Sequence, residues 1–283
     1  MNYMSTTPII TSPKFIHLLG RAIGTRFQGI KGIDRLLRAI HHPDRRQHSW
    51  VETTANVILD GPRYHLSTRW FTEWTTWFYG SQDREIHRWI HAHAKAEWVA
   101  LDIGMNFGFF TCVLAQRCLK VHGFEPVSWL AKRARANVSL NGFQNVFINE
   151  LALSDHQGKA HLNLPSENDC NWGTSSLIHK SSGDSTLEVR LETLDDYVKD
   201  KGLSRIDFIK LDVEGAEHLV LKGASNSLAQ FKPVIIFERN TESFDTVIKL
   251  LRELNYSFFD LSEKPLGNKI TEWPHDILAM IRN

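Results

Sequence analysis

An apolar stretch of the sequence ends in an aspartate and is followed at once by two glycines and an asparagine. It reads V-A-L-D-I-G-M-N-F-G-F-F from Val99 to Phe110, so the residues of interest are Asp102, Gly104, Asn106 and Gly108. Glycine between a strand and a helix lets the backbone adopt a positive φ or lie against a ligand. Another acid, Glu125, ends the next apolar stretch. These residue types are suited to binding a small polar molecule.

The spacing of these glycines and acids distinguishes between a site for a dinucleotide and a site for a ligand without phosphate. A dinucleotide-binding loop reads G-x-G-x-x-G and places a pyrophosphate at the N-terminus of a helix. Here Asn106 stands at the middle glycine position, the third glycine is absent, and Asp102 would repel a nearby phosphate. Asp102 suits a cationic ammonium instead, and Glu125 is placed to accept hydrogen bonds from a ribose diol. A ligand with an ammonium, a ribose and no phosphate is S-adenosylmethionine.

The elements that position these residues alternate from Trp98 onward. The pattern predicts strands at 98–101, 120–124, 146–153, 207–211 and 233–237, intervening helices that include 217–228, and closing strands at 256–261 and 277–281. Such alternation is typical of a parallel, doubly wound sheet, in which ligands bind beyond the carboxyl ends of the strands. Four strands end in acids: Asp102, Glu125, Asp212 and Glu238. We therefore expect one site at this edge.

Five motifs, in a fixed order, resemble the FkbM family of S-adenosylmethionine-dependent methyltransferases. They are D-I-G-M-N-F-G from Asp102, G-F-E-P from Gly123, A-L-S-D from Ala152, L-E-T-L-D-D from Leu191 and I-D-F-I-K-L-D-V-E-G-A-E from Ile206. The resemblance covers about 96–238. One departure is Met105, where the family usually has alanine. It removes no polar contact but changes the packing beside the turn.

The resemblance implies an α/β fold of the Rossmann-like class I methyltransferase type, with a mostly parallel doubly wound sheet and an antiparallel C-terminal strand. Position by position, Asp102, Gly104, Asn106 and Gly108 would surround the methionine moiety of S-adenosylmethionine. Glu125, followed by Pro126, would hold the ribose, while Ala152, Leu153 and Asp155 would border the adenine. The implied activity is O-methylation of a hydroxyl on a saccharide or natural product.

A hydroxyl acceptor has to lose its proton, so we expect a general base within hydrogen-bond reach of it. Asp212, which follows a strand next to the expected methyl position, is the first candidate, and Glu214 is the second. His179 is a third. Glu217 is expected to cap the following helix or to join the site, and Lys210 to pair with a carboxylate.

Three further features of this half of the chain concern the acceptor. Glu238, with Arg239 and Asn240, either lines the acceptor pocket or ends its strand in solvent. The long polar excursion at 154–188 is predicted to contain strands and a loop, and 171–177 is a candidate lid over the acceptor.

Composition excludes several classes of protein. The chain has 283 residues, 42% hydrophobic and 23% charged, with a formal charge of +1. Its histidines are scattered and its three cysteines lack metal-ligand spacing, so we predict no structural zinc. The D-x-E of Asp212 and Glu214 could bind a divalent cation, but Lys210 supplies competing charge, and no metal is predicted. A cytoplasmic location is the default, and the acidic C-terminal region argues against a nucleic-acid substrate.

The N-terminal 50 residues are basic, with eight Lys or Arg against two Asp, which leaves the remaining residues net acidic. Apolar residues recur at three- and four-residue intervals and predict an amphipathic helix or two: Phe15, Leu19, Ile23, Phe27, Ile30, Ile33, Leu37 and Ile40. The simplest interpretation is a helical extension whose apolar stripe packs on the main domain. The alternatives are a helix lying on an anionic membrane surface and an organellar transit peptide.

The remaining boundaries follow from local pattern. The segment 51–95 is predicted to contain a hairpin around Asp60-Gly61-Pro62 and an aromatic-rich helical run from Trp70 to Trp89, with Trp70, Trp74 and Phe78 in the core. The S-adenosylmethionine-binding domain is predicted at 96–283, after a basic helical extension at 1–50. Two functional alternatives stay open: N-methylation, in which an amine needs less help from a base, and a non-catalytic scaffold in a glycan-assembly complex.

Overall fold

The computed structural model describes residues 13, 15–27, 30, 32–40, 52–56, 61–165, 177, 185–239 and 243–282. The chain divides into two compact units, with the division after Gln82. None of the helices in these ranges is long and apolar enough to cross a membrane. The predicted base His179, the neighbour Asn240 and most of the candidate lid lie outside the described residues.

The first unit consists of three helices and a hairpin. These are α1 (Phe15–Phe27), α2 (Ile33–Ile40), β1 (Glu52–Asn56), β2 (Arg63–Ser67) and α3 (Phe71–Tyr79). β1 and β2 pair in antiparallel fashion, which confirms the predicted hairpin. Trp70, Trp74 and Phe78 are all buried, so the aromatic spacing does mark core. The aromatic run is not one helix, because Gly80 ends α3 in the left-handed conformation with φ 76°.

The packing of α1 differs from the simplest expectation for the N-terminal segment. Its buried positions are His17, Gly20 and Gly24, whereas the large apolar side chains Phe15 and Leu19 of the predicted stripe are exposed. A Cβ on Gly24 would lie 2.3 Å from the Phe78 carbonyl oxygen, so only glycine permits this approach of α1 to α3. The apolar stripe of α1 therefore does not pack inward; the glycines do.

The second unit contains the remaining elements. They are α4 (Arg84–His93), β3 (Val99–Ile103), α5 (Phe109–Ala115), β4 (Lys120–Phe124), α6 (Ser128–Leu140), β5 (Val146–Asn149), β6 (Ala152–Leu153), β7 (Gly158–Asn163), β8 (Thr186–Glu192), α7 (Leu194–Lys201), β9 (Phe208–Leu211), α8 (Glu217–Lys222), α9 (Ser225–Phe231), β10 (Val234–Glu238), α10 (Phe244–Glu253), β11 (Ser257–Phe259) and β12 (Asp276–Met280). A 3₁₀ turn, Ile270–Glu272, precedes the last strand.

The main sheet has the order β11-β12-β10-β9-β3-β4-β5. The strands from β5 to β10 are parallel, and β12 is inserted antiparallel between β10 and β11. The prediction of a doubly wound class I sheet with an antiparallel C-terminal strand is confirmed. Strand order reverses between β3 and β9, and ligands of such sheets bind at that point.

Two predicted elements are interrupted, each for a local reason. The strand predicted at 146–153 divides because β6 leaves the main sheet and pairs with β8 in a second sheet of order β6-β8-β7. The helix predicted at 217–228 divides into α8 and α9 at Gly223. There a Cβ would lie 2.0 Å from the Ser154 carbonyl oxygen, so the backbone itself packs against the loop after β6.

The two faces of the main sheet differ in polarity. One face presents apolar side chains to the helices α7 to α10, among them Leu101, Ile103, Leu211 and Phe237. Alternate residues point to the other face, where Asp102 and Lys210 stand side by side in the parallel register of β3 and β9. This face carries buried charge towards the carboxyl ends of the strands.

Candidate active site

The turn between β3 and α5 has a backbone that its residue types make possible. Gly104 and Gly108 both have φ of 83°, and Asn106, a residue that tolerates the left-handed region, has φ of 53°. A Cβ on Gly104 would lie 1.7 Å from the Asp212 carbonyl oxygen, so this turn presses against the end of β9. The glycines of the motif therefore allow two neighbouring strand ends to meet.

Met105, the residue that departs from the family pattern, packs inside the turn. It is buried, and its Sδ would lie 2.4 Å from a Cβ on Gly123. Because Gly123 has no side chain, the thioether fills the space above β4. The methionine thus changes apolar packing below the turn and leaves the polar groups in place.

Glu125 holds this turn and the start of α6 together. Its carboxylate accepts hydrogen bonds from the backbone N–H groups of Asn106, at 3.0 Å, and Val127, at 2.9 Å. Burial raises the pKa of Glu125 to about 7. Each oxygen accepts one bond here, and a carboxylate oxygen has two acceptor positions, so both retain capacity for the two hydroxyls of a ribose.

Asp102 is buried and only half satisfied. One oxygen, Oδ2, accepts a hydrogen bond of 2.6 Å from the Thr111 hydroxyl, while Oδ1 has no hydrogen-bond partner among the described residues. Burial raises the pKa of Asp102, and the nearby charge of Lys210 opposes that shift. A buried acceptor with no partner is costly, and a ligand ammonium would satisfy it. Asp102 and Glu125 thus fit the two polar ends of S-adenosylmethionine.

The predicted adenine-bordering residues lie at the end of β6. Ala152 and Leu153 are buried, whereas Asp155 is exposed and its Oδ1 lies 2.7 Å from His156 Nδ1. The hydrogen bond with His156 lowers the pKa of Asp155. Pro126 is half-buried beside Glu125. The assignment of these residues to adenine and ribose stays a prediction.

Lys210 forms a buried ion pair with Asp212, as the sequence predicted for this lysine. Its Nζ donates a hydrogen bond of 2.8 Å to Asp212 Oδ2 and lies 5.0 Å from the centre of the Phe110 ring. Burial by itself lowers the pKa of Lys210, but the charges of Asp212, Asp102 and Glu238 raise it above its usual value. A permanent cation therefore sits among three carboxylates.

Glu214 lies in a strained turn after β9. It has φ of 51°, a conformation that is rare for a residue with a long side chain, and Gly215 follows with φ of 100°. Burial raises the pKa of Glu214 to about 7, and the neighbouring charges of Asp212 and Glu217 act in the same direction. Non-glycine residues in this region cluster at functional sites.

Glu217 holds that turn in place and does not cap α8. Its Oε1 accepts hydrogen bonds of 3.2 Å from the backbone N–H groups of Val213 and Gly215, which precede the helix. Its Oε2 accepts another, also 3.2 Å, from the Ser243 hydroxyl. Of the two expectations for Glu217, its place in the first turn of α8 is as expected, but its side chain makes no cap hydrogen bond; the buried carboxylate points back to the loop, where it supports the conformation of Glu214.

Two residues that the sequence did not point to, His275 and Asp276, lie beside the predicted strand-end acid Glu238. Glu238 and Asp276 are opposed in the register of β10 and β12, and His275 contacts both, with Nδ1 at 3.3 Å from Asp276 and Nε2 at 3.8 Å from Glu238. Burial raises the pKa of Glu238 to about 8. The hydrogen bond to Asp276 raises the pKa of His275 to about 9. No motif marks His275 or Asp276, since only strand pairing brings them to Glu238.

Among the described residues, this cluster of two acids and a histidine is the one in which three potential metal ligands lie close enough together to hold an ion. Glu238, His275 and Asp276 place ligating atoms within 4.8 Å of one another. His87 and His91 are four residues apart on α4, a spacing used by zinc sites, but His87 packs edge-on against Phe109 and His91 is exposed. The absence of a metal remains a prediction.

Comparisons with known proteins agree with this geometry. The family model described as "Methyltransferase FkbM domain" matches residues 102–258, more than half of the chain. The 2-O-methyltransferase NoeI of Sinorhizobium fredii (strain NBRC 101917 / NGR234) is 28% identical over 205 residues, which cover 65% of this chain and 82% of the relative. The hexuronic acid methyltransferase AglP of Haloferax volcanii is 28% identical over 175 residues, which cover 62% and 70%.

Among solved structures, the methyltransferase FkbM from Methylobacillus flagellatus KT is similar with a TM-score of 0.45 and 16% identity, over 66% of this chain and 44% of that one. The range matched by the family model contains the glycine turn, Glu125, the Lys210–Asp212 pair and Glu214. The chain therefore belongs to the FkbM family and is an S-adenosylmethionine-dependent methyltransferase.

Proposed function

We propose that this methyltransferase acts on a hydroxyl group of a saccharide. The support from relatives is that one is named a 2-O-methyltransferase and another a hexuronic acid methyltransferase. The observation that carries the proposal is Glu214, a half-buried carboxyl with a pKa near 7 that follows the central strand β9 by three residues. A hydroxyl needs such a base, whereas a neutral amine does not.

When bound, S-adenosylmethionine supplies an electrophilic methyl group on a sulfonium. Charge is dispersed in this displacement, so the chain contributes chiefly by positioning the reactants and excluding water. Glu125 and Asp102 are the residues that would hold the ribose and the ammonium. The glycine turn holds its strand end against β9, which keeps these groups beside Asp212 and Glu214.

Asp212 and Glu214 both remain candidates for the base, and their contacts favour Glu214. The Oδ2 of Asp212 accepts a hydrogen bond from Lys210, so this carboxylate is already engaged in an ion pair. Glu214 has a pKa near the operating pH, which is the condition for an efficient general base. In our proposal Glu214 removes the hydroxyl proton, and the Lys210–Asp212 pair supports the site next to it.

The proposed function is tested by methyl transfer from radiolabelled S-adenosylmethionine to a panel of neutral sugars, hexuronic acids and sugar amines. We expect label in a methyl ether, which resists mild alkali. Release of all label by mild alkali would indicate a methyl ester on a hexuronic acid carboxylate. Formation of such an ester needs no general base on the enzyme, because the carboxylate is already deprotonated. Label confined to the amines would contradict the proposal and favour N-methylation, and no transfer to any class would favour the scaffold.

A further inference from the structure

The exposed apolar side chains of the described residues are concentrated on the first two helices. Among the described residues, nine large apolar side chains are exposed. Seven of them lie between residues 15 and 36: Phe15, Ile16, Leu18, Leu19, Phe27, Ile30 and Leu36. Phe15 is 80% exposed. Scattered exposed apolar residues are ordinary, but a concentration of this kind marks an interaction surface. We call these seven residues the apolar surface.

The packing of two glycines explains why the bulky apolar side chains of α1 face solvent. α1 approaches α3 through Gly24, where any side chain would collide with the Phe78 backbone, and Gly20 is buried on the same helix. Because the two glycines occupy the inward positions, the bulky residues Leu18 and Leu19 face solvent. Arg21 reinforces the arrangement, since its guanidinium stacks 4.6 Å from the centre of the Trp77 ring and donates a hydrogen bond to the Asn56 carbonyl at 2.6 Å.

The charge around the apolar surface identifies the partner. Residues 13–40 contain six Lys or Arg and one acid, Asp34. Arg26, Arg35 and Arg38 are exposed on the same two helices as the apolar side chains. A second copy of the chain would bring an equally basic surface against this one, which is unfavourable. An anionic bilayer offers the opposite charge together with an apolar interior for the exposed leucines and phenylalanine.

We propose that α1 and α2 dock onto an anionic lipid bilayer. The apolar surface then inserts at the level of the headgroups, and the arginines contact lipid phosphates. The proposal does not depend on the acceptor, since the surface lies on the first unit and the methyl-transfer residues lie on the second.

The test is co-sedimentation of the full chain with vesicles of phosphatidylcholine and phosphatidylglycerol, and with vesicles of phosphatidylcholine alone. We expect binding to the mixed vesicles that weakens as salt is raised, and much less binding to the neutral ones. Replacing Arg26 and Arg35 with serine should weaken binding about 30-fold. The variant Leu18→Ser/Leu19→Ser should weaken it by about tenfold or more.

Matched controls use exposed residues of the second unit. Leu119→Ser removes an exposed leucine, and Lys222→Ser/Lys249→Ser removes two exposed cations. Both should bind the mixed vesicles as the wild type does. Folding of every variant is checked by thermal melting and S-adenosylhomocysteine binding, and if the leucine variant is unfolded, the arginine variant decides.

Absence of binding to the mixed vesicles, or equal loss in the controls, would overturn the proposal. A concentration-dependent dimer that the Leu18→Ser/Leu19→Ser variant dissociates, with no vesicle binding, would also overturn it and assign the surface to a second copy. Methyl transfer to a soluble acceptor should be unchanged in all variants, so failure of the docking proposal is distinguishable from failure of the proposed function.

Discussion

Lys210 donates a hydrogen bond of 2.8 Å to Asp212 from a position that is 97% buried, beside Asp102 in the next strand. One cation thus compensates two carboxylates on the polar face of the sheet. The pair spans only two residues of sequence, because alternate residues of β9 point to the same side.

Replacing Lys210 with methionine should lower the free energy of unfolding at neutral pH by about 2–4 kcal/mol, since it leaves buried carboxylates without a cation. The loss should shrink at acidic pH, where protonated carboxyls need no partner. Denaturant titration measures both effects. Lys222→Met, at an exposed lysine, should change stability by less than about 0.5 kcal/mol. Equal stability of the two variants would show that the ion pair contributes little.

Glu214→Gln should lower kcat by about 10²–10⁴, the usual contribution of a general base, and leave the affinity for S-adenosylhomocysteine unchanged. In the wild type the base works only when deprotonated. Activity should therefore be present above pH 7 and fall as the pH drops through about 7, and the variant should lose this dependence. The exposed residue Glu253 serves as the control. An unaltered pH profile in Glu214→Gln would assign the proton transfer elsewhere, with Asp212→Asn the next variant to measure.

Glu125→Ala should abolish the thermal stabilisation that S-adenosylhomocysteine gives to the wild type. A ligand at about 100 times its Kd adds about 2.7 kcal/mol, which corresponds to a rise in Tm of several degrees for a domain of this size. Glu125→Gln keeps one acceptor and should retain part of the shift, which separates ligand loss from collapse of the turn. NADH is the comparison ligand, and stabilisation by NADH would contradict the assignment.

Gly104→Ala should destabilise the chain more than Gly142→Ala. Both glycines have positive φ, but a Cβ on Gly104 meets the Asp212 carbonyl oxygen whereas one on Gly142 meets nothing within 4 Å. The control therefore measures the cost of the backbone conformation alone. The difference, about 1–3 kcal/mol by analogy with overpacking, measures the close approach of the turn to β9. Identical values from denaturant titration would mean that this approach is relaxed in solution.

Three acids with raised pKa values also predict how stability depends on pH. The pKa values of Glu125, Glu214 and Glu238 are about 7, 7 and 8 in the folded chain, above the ordinary value of 4.5. The folded state therefore binds more protons than the unfolded state. Their contribution is fully present below pH 4.5 and is lost as the pH rises through 7 and 8. Glu238→Gln should flatten the decline in unfolding free energy between about pH 5 and 8, whereas the exposed control Glu253→Gln should not.

The sheet, the glycine turn and the acids at the strand ends could all be predicted from the sequence. Strand and helix periodicities are local properties, and the motif around Asp102 has its glycines within seven residues. Glu125 and Asp212 could be predicted because parallel strands bring their carboxyl ends to one edge whatever the details of packing. The breaks at Gly80 and Gly223 were missed, because a glycine does not by itself show that a helix ends there. Gly80 ends α3 in the left-handed conformation, whereas at Gly223 the backbone packs against the loop after β6.

Two other features depend on long-range packing and could not be predicted from local sequence patterns. Glu238 meets His275 and Asp276 because β12 inserts antiparallel beside β10, and no local pattern encodes that pairing across 37 residues of sequence. The face of α1 that packs inward could not be predicted either. Helical periodicity shows which residues share a face, but not which face is buried. The narrow approach to Phe78 admits only glycine, so packing with α3 turns the leucines outward.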